Sequence, residues 1–262
     1  ELLNLDIGGV QPSIKVPHLL NLEISLPPLS EQKRISSILS SFDNKIEQLK
    51  KENNILEDIA QSIFKEWFIK YNFPNKDGKP YKDNNGKMID SELGLIPEGW
   101  RVGKLGEIVE LVMGQSPNGG SYNTTGIGTP LINGAQELAE SGINEIKFTT
   151  SPTKLSKSED ILFCIRATIG NIHFADKEYC LGRGVAALRP PEGLKSYIYE
   201  LLQTNLPKIE GKAEGSVFKQ ITKVMLYEHK ISYDPNTAFL YSKSQEQVIN
   251  KFLLNRKRIN NL

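Results

Sequence analysis

The feature that most constrains this chain is a run from Ser30 to Tyr71 that contains neither glycine nor proline and carries apolar residues at 4-3 spacing. One series is Ile35, Phe42, Leu49, Leu56 and Ile63; the other is Leu39, Ile46, Asn53, Ala60 and Trp67. These are the two seam positions of a heptad repeat sustained for about five heptads. The spacing predicts a coiled-coil helix over 30–71 that pairs along those ten residues with a second helix. Pro27 and Pro28 close the preceding segment, Ser30 is placed to cap the helix, and Glu31 lies near its positive end. At 1.5 Å per residue such a helix rises about 60 Å, too long for the core of one small domain, so it is expected to span between units. Asn53 is a polar residue in the seam, a device that costs stability and fixes register or partner number. Trp67 and Phe68 thicken the apolar face at the far end, which suggests docking there on more than one helix.

After the helix, residues 72–98 are rich in Gly, Asn, Asp, Pro and Lys and read as an extended linker with turns at Asp77-Gly78 and Asn85-Gly86. Residues 99–238 are mixed. Short β-like runs ("EIVELVM", "IKFTT", "DILFCIR", "GNIHFA", "GVAALRP", "HKISY") alternate with Gly-rich connectors, and "LKSYIYELLQTNLPKI" has helical spacing through Tyr197, Leu201 and Leu202. The fold class is therefore α+β: a globular domain attached to a long coiled-coil helix. Residues 239–262 read as the start of a second such helix. It is locally basic, with Lys243, Lys251, Arg256, Lys257 and Arg258 against Glu246, a pattern that also suits an ordinary solvated helix face.

Composition excludes several classes. The 32 Lys and Arg against 31 Asp and Glu leave a net charge of +1, which argues against a polybasic coat that binds DNA by counterion release alone. A sequence reader with a few well-placed cations stays open. The two cysteines, Cys164 and Cys180, and three scattered histidines form neither a disulfide framework nor a zinc spacing, and reduced thiols in a cytoplasmic protein are expected, Cys164 being buried within "ILFCI". No apolar run reaches the roughly 18 residues of a membrane helix, and the opening residues lack the pattern of a signal peptide.

The chain also repeats itself. "GGVQPSIKVPHLLNLEISL" parallels "GSVFKQITKVMLYEHKISY" about 207 residues later, matching Gly8 with Gly215, Val10 with Val217, Ile14 with Ile221, Leu19 with Leu226 and Ile24 with Ile231. Beyond a six-residue shift the helices correspond too, Gln32 with Gln245, Ile35 with Val248, Leu39 with Phe252, Ile46 with Ile259 and Leu49 with Leu262. The order is the end of a domain (1–29), a helix, a linker, a whole domain and the start of a second helix. Tandem copies of a domain-plus-helix unit can pair their helices antiparallel and hold two domains at a fixed separation.

On these pieces the chain resembles the specificity subunits of type I restriction-modification enzymes. The matching stretches are "PPLSEQKRISSIL", "NGKMIDSELGLIPEGWRVGKLGEI", "GQSP" at Gly114–Pro117, "DILFCIRATIGN" at Asp160–Asn171 and "GSVFKQI" at Gly215–Ile221. The resemblance implies a target-recognition domain that reads one half of a split site in double-stranded DNA. It implies helices that set the spacing, and partners in the form of methyltransferase (modification) subunits and restriction subunits. It departs from the family pattern in having one whole recognition domain. The chain is then either a piece of a two-domain subunit or a half-length subunit that self-associates through the long helix.

Catalytic motifs are missing. There is no P-loop, no methyl-transfer signature and no dinucleotide loop; Gly126-Ile127-Gly128 lacks the third glycine. Asp77-Gly78-Lys79 suits a solvated turn better than a nuclease, and His173 and His229 suit hydrogen-bonded structural roles. No cofactor, no metal and no catalytic residue is expected. Base reading needs Arg or Lys for guanine and Asn or Gln for adenine. The candidates are Gln115, Ser116, Asn133, Gln136, Arg166, Thr168, Arg183, Lys219 and Gln220, beside glycines 114, 134, 170, 182, 184 and 215, which are expected to let the backbone approach phosphates. For any one of them a loop side chain with no role is the competing reading, and Arg166 has a further one, satisfying buried carbonyls. The rival for the whole chain is a coiled-coil module that binds protein and acts on such a complex without reading DNA.

Overall fold

A computed structural model describes residues 16–20, 25–139, 142–166, 169–211, 219–260 and 262. Two compact units are distinguished, residues 1–48 with 262, and residues 49–261.

The centre of the larger unit is an antiparallel four-stranded sheet in the order β11 (Ile172–Phe174), β10 (Ile161–Cys164), β13 (Val185–Arg189) and β4 (Glu110–Met113). "DILFCIR" has no polar alternation because both faces of β10 are covered, the condition under which a strand reads as a continuous apolar run. Ile161, Phe163 and Ile165 enter one core, and Leu162 and Cys164 the other. β13 divides the same way, Ala186 and Leu188 against Val185 and Ala187. The first core is completed by the end of α2 (Leu29–Phe64), by α4 (Lys195–Glu210) and by α6 (Pro235–Asn260), through Phe64, Phe68, Tyr197, Leu201, Tyr241 and Ile249. The second includes Ile132, Leu138, Tyr179 and Leu181. These come from β6 (Thr129–Ile132), from the hairpin β7 (Leu138–Ala139) and β8 (Gly142–Ile143), and from β12 (Cys180–Leu181). β6 and β12 belong to a second sheet, ordered β12, β6, β9 (Phe148–Thr149), β5 (Tyr122–Asn123). The edge charge of the central sheet is held by Arg189, whose Nη2 lies 2.8 Å from the buried Asp160 and whose Nη1 lies 2.9 Å from Glu110.

The stretch 72–98 carries its own structure, a two-stranded pairing of β1 (Met88–Ile89) with β2 (Ile96–Pro97). Phe73 stacks on both Tyr81 and Trp100. Gly78 and Asn85 both take positive φ, the conformation their turns require. β3 (Arg101–Lys104) pairs with β14 (Lys230–Tyr233). Of "EIVELVM", only Glu110–Met113 is strand; Glu107 and Ile108 belong to the short helix α3 (Leu105–Ile108), where Glu107 accepts from the Lys104 backbone N–H at 3.1 Å. A second short helix, α5 (Lys223–Tyr227), is capped by Thr222. Its counterpart under the sequence repeat, α1 (Val16–Leu20), is also a five-residue helix. Gly8, Val10, Ile14, Ile24, Gly215 and Val217 of the repeat lie outside the described residues. The terminal helix begins at Pro235 rather than 239: the Asp234 carboxylate accepts from the Thr237 N–H at 2.8 Å, and proline is preorganised for the first helical turn.

Along α2, Ile35, Leu39 and Phe42 are exposed and Ile46 is half-buried. Leu49, Asn53 and Ala60 are buried and Leu56 half-buried. From there the inward positions become Phe64 and Phe68, with Ile63 and Trp67 beside them, because an unsupercoiled helix of 3.6 residues per turn drifts off a 3.5-residue repeat. The last turn, Lys65–Ile69, widens to a π-helix. Residues 49–64 and α6 run antiparallel, since Glu52 meets Asn255 (2.9 Å) while the Ala60 carbonyl meets the Tyr241 hydroxyl (2.9 Å).

This helical contact contains Glu200, 2% exposed, with a carboxylate oxygen that has no hydrogen-bond partner. Burial, reinforced by Glu57 and opposed by Lys65, pushes its pKa up to about 8. The folded state therefore holds a proton that the unfolded state releases near 4.5, and this group's contribution to stability falls as pH rises from about 4.5 to about 8. Glu200→Gln should unfold at higher denaturant than the parent at pH 8, with the gain shrinking toward pH 5. Parallel denaturation curves at the two pH values check this.

Candidate nucleic-acid interface

At one end of the central sheet the strands run on into loops that interlock. Gly114 N–H donates to the Val185 carbonyl (3.0 Å), Gln115 N–H to Leu181 (2.8 Å), Gly182 N–H to Ile132 (2.8 Å) and Ile165 N–H to Gly184 (2.9 Å). The segment that begins at Lys219 joins them: Arg166 bridges Gln220 antiparallel, and Ile221 N–H donates to the Ile165 carbonyl at 2.9 Å. Cys164 is in register with Val185, so the next positions outward bring Arg166 and Arg183 to neighbouring strand ends.

The side chains follow this frame. Ser116 Oγ lies 3.2 Å from Asn133 Oδ1 and accepts from both the backbone N–H and Nε of Arg183 at 3.3 Å. Gln115, Asn133, Arg183 and Lys219 are exposed, and Ser116, Arg166 and Gln220 half-buried. Arg166 Nε is buried with no hydrogen-bond partner, and Lys219 lies 3.4 Å from Glu210. Gln136 is exposed and stands a little apart; its backbone carbonyl accepts from Asn144 at 3.3 Å and its side chain from Lys147 at 3.5 Å. Thr168 lies outside the described residues. So seven of the nine sequence candidates (Gln115, Ser116, Asn133, Arg166, Arg183, Lys219, Gln220) share one cluster of strand ends.

Three of the glycines have a different reason from the one their sequence context suggested. A Cβ at Gly114 would stand 2.1 Å from the Gly182 carbonyl oxygen, at Gly182 2.1 Å from Asn133 Oδ1, and at Gly184 2.3 Å from the Asn133 carbonyl oxygen. They are small so that protein strands can interlock, not so that phosphate can approach. Gly170 has φ +104 and lies against Leu206, while Gly134 faces open space. Sequence reasoning missed Thr153 and Lys154, which belong to the cluster: the Thr153 hydroxyl donates to the Gln115 carbonyl, and the Lys154 carbonyl accepts from Leu181 at 2.7 Å. They sit between β-like runs in a stretch with no motif.

The remaining chemistry is structural. His173 Nε2 lies 2.6 Å from the Ala139 carbonyl, and burial followed by the nearby Arg256 lowers its pKa to about 3. Both cysteines are buried free thiols, and burial pushes Cys164 up to about 12. Among the described residues no group of His, Cys, Asp or Glu could hold a metal ion, and no helix is long and apolar enough to cross a membrane.

An α+β domain that presents amides and arginines from interlocked strand ends, joined to a long helix, defines a class of recognition module, and comparison with known proteins agrees. The family described as type I restriction modification DNA specificity domain matches residues 1–58 and 97–261. A putative type I restriction enzyme specificity subunit of Methanocaldococcus jannaschii is 37% identical over 229 residues, which is 86% of this chain and 52% of the relative. Another specificity subunit from that organism is 32% identical over 62% of this chain and 37% of its own length. A crystal structure of the HsdS subunit from Thermoanaerobacter tengcongensis aligns over 98% of this chain and 60% of its own, with a TM-score of 0.54 and 25% identity. The S subunit from M. genitalium aligns at a TM-score of 0.58 and 17% identity, a likeness of fold. This chain belongs to the type I restriction-modification DNA specificity domain family. It spans about half the length of the first of these relatives.

Gly184→Ala should be costly although it adds a single methyl group, because the atom it meets is backbone. Overpacking at such a contact costs roughly 1–3 kcal/mol. The expected result is a lowered midpoint in denaturant together with shifted amide resonances at Asn133, Ser116 and Arg183; an unchanged midpoint would show that the interlock has slack.

Proposed function

We propose that this chain is a non-catalytic, sequence-reading DNA-binding subunit of a type I restriction-modification complex. Its recognition domain, which the sequence bounds at 99–238, takes one half of a split duplex site. The observation that carries the reading is the convergence of Gln115, Asn133, Arg183, Arg166 and Gln220 on one set of rigid strand ends, within a family named for DNA specificity. Carboxamides match the donor–acceptor edge of adenine and guanidinium groups that of guanine, and both work best when the backbone holding them is fixed. Methyltransferase and restriction subunits are the partners the family supplies, and the helices scaffold them and space the half-sites. Cytoplasmic localisation follows from that role.

Selection from a random duplex library should recover a consensus, and an unenriched pool would overturn the reading. On the recovered site, Arg183→Ala should cost roughly 1–3 kcal/mol and relax preference at one position. Lys219→Ala should weaken all sequences alike and lower the salt slope by about one unit.

We further propose that the exposed apolar positions Ile35, Leu39 and Phe42 are a pairing surface for a second helix, a second copy of this chain included. Sedimentation should show a species heavier than the 29.4 kDa chain that reverts to monomer in the Leu39→Asp, Phe42→Asp double variant. A monomeric parent excludes self-association.

A further inference from the structure

Beside the reading cluster lies a groove of about 1030 Å³ between residues 170–173 at the start of β11, helix α4 and the facing parts of α2 and α6. Small-molecule sites are typically about 300–1,000 Å³ and mostly apolar. This groove is at the upper end of that range and is lined largely by amides and charged groups, among them Lys50, Asn54, Gln203, Arg256 and Asn260. Its dimensions and chemistry suit a polar polymer.

Arg256 is the informative residue. It lies in the basic stretch that the recognition cluster leaves unexplained. Its guanidinium sits 4.4 Å from the centroid of the Phe252 ring and hydrogen-bonds His173 Nδ1. Since His173 Nε2 is committed to the Ala139 carbonyl, Nδ1 is the acceptor of a neutral imidazole, and the buried ring stays neutral through physiological pH. An arginine oriented by a neutral ring and an aromatic face keeps its remaining donors for a bidentate acceptor, against the through-space attraction of Glu57. Glu57 is the one carboxylate in the lining, and Tyr199 hydroxyl bonds it at 3.3 Å.

The groove and the reading cluster are neighbours along the chain. Arg166 of the cluster and Gly170 and Asn171, which line the groove, lie within five residues of one another. Asn144, another lining residue, donates to the backbone carbonyl of Gln136.

We propose that this groove holds the sugar–phosphate backbone of the duplex on the flank of the half-site, with Arg256 and Lys50 contacting phosphate oxygens and Asn54 and Asn260 donating to them. The inference rests on the DNA-reading role above and adds a contact that positions the duplex without reading it.

The test is duplex binding by the full chain at several salt concentrations, on the selected site and on an unrelated duplex. Lys50 and Asn54 are exposed, so Lys50→Gln and Asn54→Asp should fold normally; Arg256→Gln is the companion variant. Lys50→Gln should weaken both duplexes by the same factor, lower the salt slope by about 0.9, and leave the order of sequence preference unchanged. A methylphosphonate placed on a flanking phosphate should weaken the parent but not Arg256→Gln. If no sequence is preferred and the slope still falls, the reading fails and the groove stands. A parental slope and affinity in Lys50→Gln and Asn54→Asp would overturn the groove proposal while leaving the reading intact. So would variants that keep the parental slope but lose assembly with a methyltransferase subunit, which would mark the groove as a protein contact.

Discussion

β10 and β13 are buried on both faces, and the rest of the recognition domain is arranged by that fact. A strand pair covered twice must supply apolar side chains at every position, so Ile161 through Ile165 and Val185 through Leu188 have no freedom to carry polar function along their length. Function is displaced to their ends. There the backbone remains hydrogen-bonded for a residue or two beyond the strand, through Ile165 to Gly184 and Ile221 to Ile165. The polar side chains at Arg166, Arg183 and Gln220 thus leave a frame fixed by two cores rather than a free loop. Such a frame restricts the rotamers a reading residue must lose on binding.

The helices show the opposite arrangement, in which polar groups are taken inside. Asn53, Tyr197, Glu200, Gln245 and Asn255 each leave a buried side-chain oxygen unpartnered. All five lie where α2, α4 and α6 meet, and an unpartnered buried polar atom costs roughly 1–3 kcal/mol. A purely apolar seam would be more stable, but it would also permit the helices to slide by a turn. Polar seam positions are the best-attested way to exclude such slips. On the proposal that these helices space two DNA half-sites, a slip of one turn would move a reading surface by about 5.4 Å, more than one base-pair step. Register is worth more there than stability.

The sequence shows best what depends on period and composition. The glycine-free 4-3 run is α2, "DILFCI" is a strand because only a doubly covered strand tolerates it, and "LKSYIYELL" is α4. It shows poorly what depends on a partner distant in the chain. Glu107 and Ile108 read as strand from their neighbours, yet a helical turn capped by the Glu107 carboxylate takes them. The sequence places the start of the last helix at Phe239, but Asp234 supplies a cap five residues earlier. Among the site residues, Gln115, Asn133 and Arg183 were visible as polar residues beside glycines, but the reason for those glycines was not. Gly114, Gly182 and Gly184 answer to one another and to Asn133, contacts between segments separated by up to about seventy residues that no local pattern encodes. Thr153 and Lys154 were invisible for the same reason.

A net charge of +1 raises the question of how such a chain would engage a polyanion in the role proposed for it, and the distribution of partners bears on it. Many of its cations are consumed within the protein: Lys70 by Glu66, Lys87 by Glu98, Lys104 by Glu228, Lys177 by Glu145, Lys195 by Glu159, and Arg189 by Asp160 and Glu110. Exposed pairs of this kind contribute little to stability, but each removes a charge from the field a distant phosphate feels. Several arginines stand outside that pattern. Arg183 is steadied by the Ser116 hydroxyl, Arg256 by a neutral imidazole and a phenyl ring, and Arg166 has a buried donor with no acceptor. Arg183 and Arg256 are thus oriented by neutral groups, with Glu57 acting on Arg256 through space. Affinity in such a protein comes from a few directed charge-assisted hydrogen bonds rather than from a diffuse positive field. On the proposed reading, nonspecific binding would stay weak, and the discrimination between a site and the bulk of the genome would fall to the geometry of the strand ends.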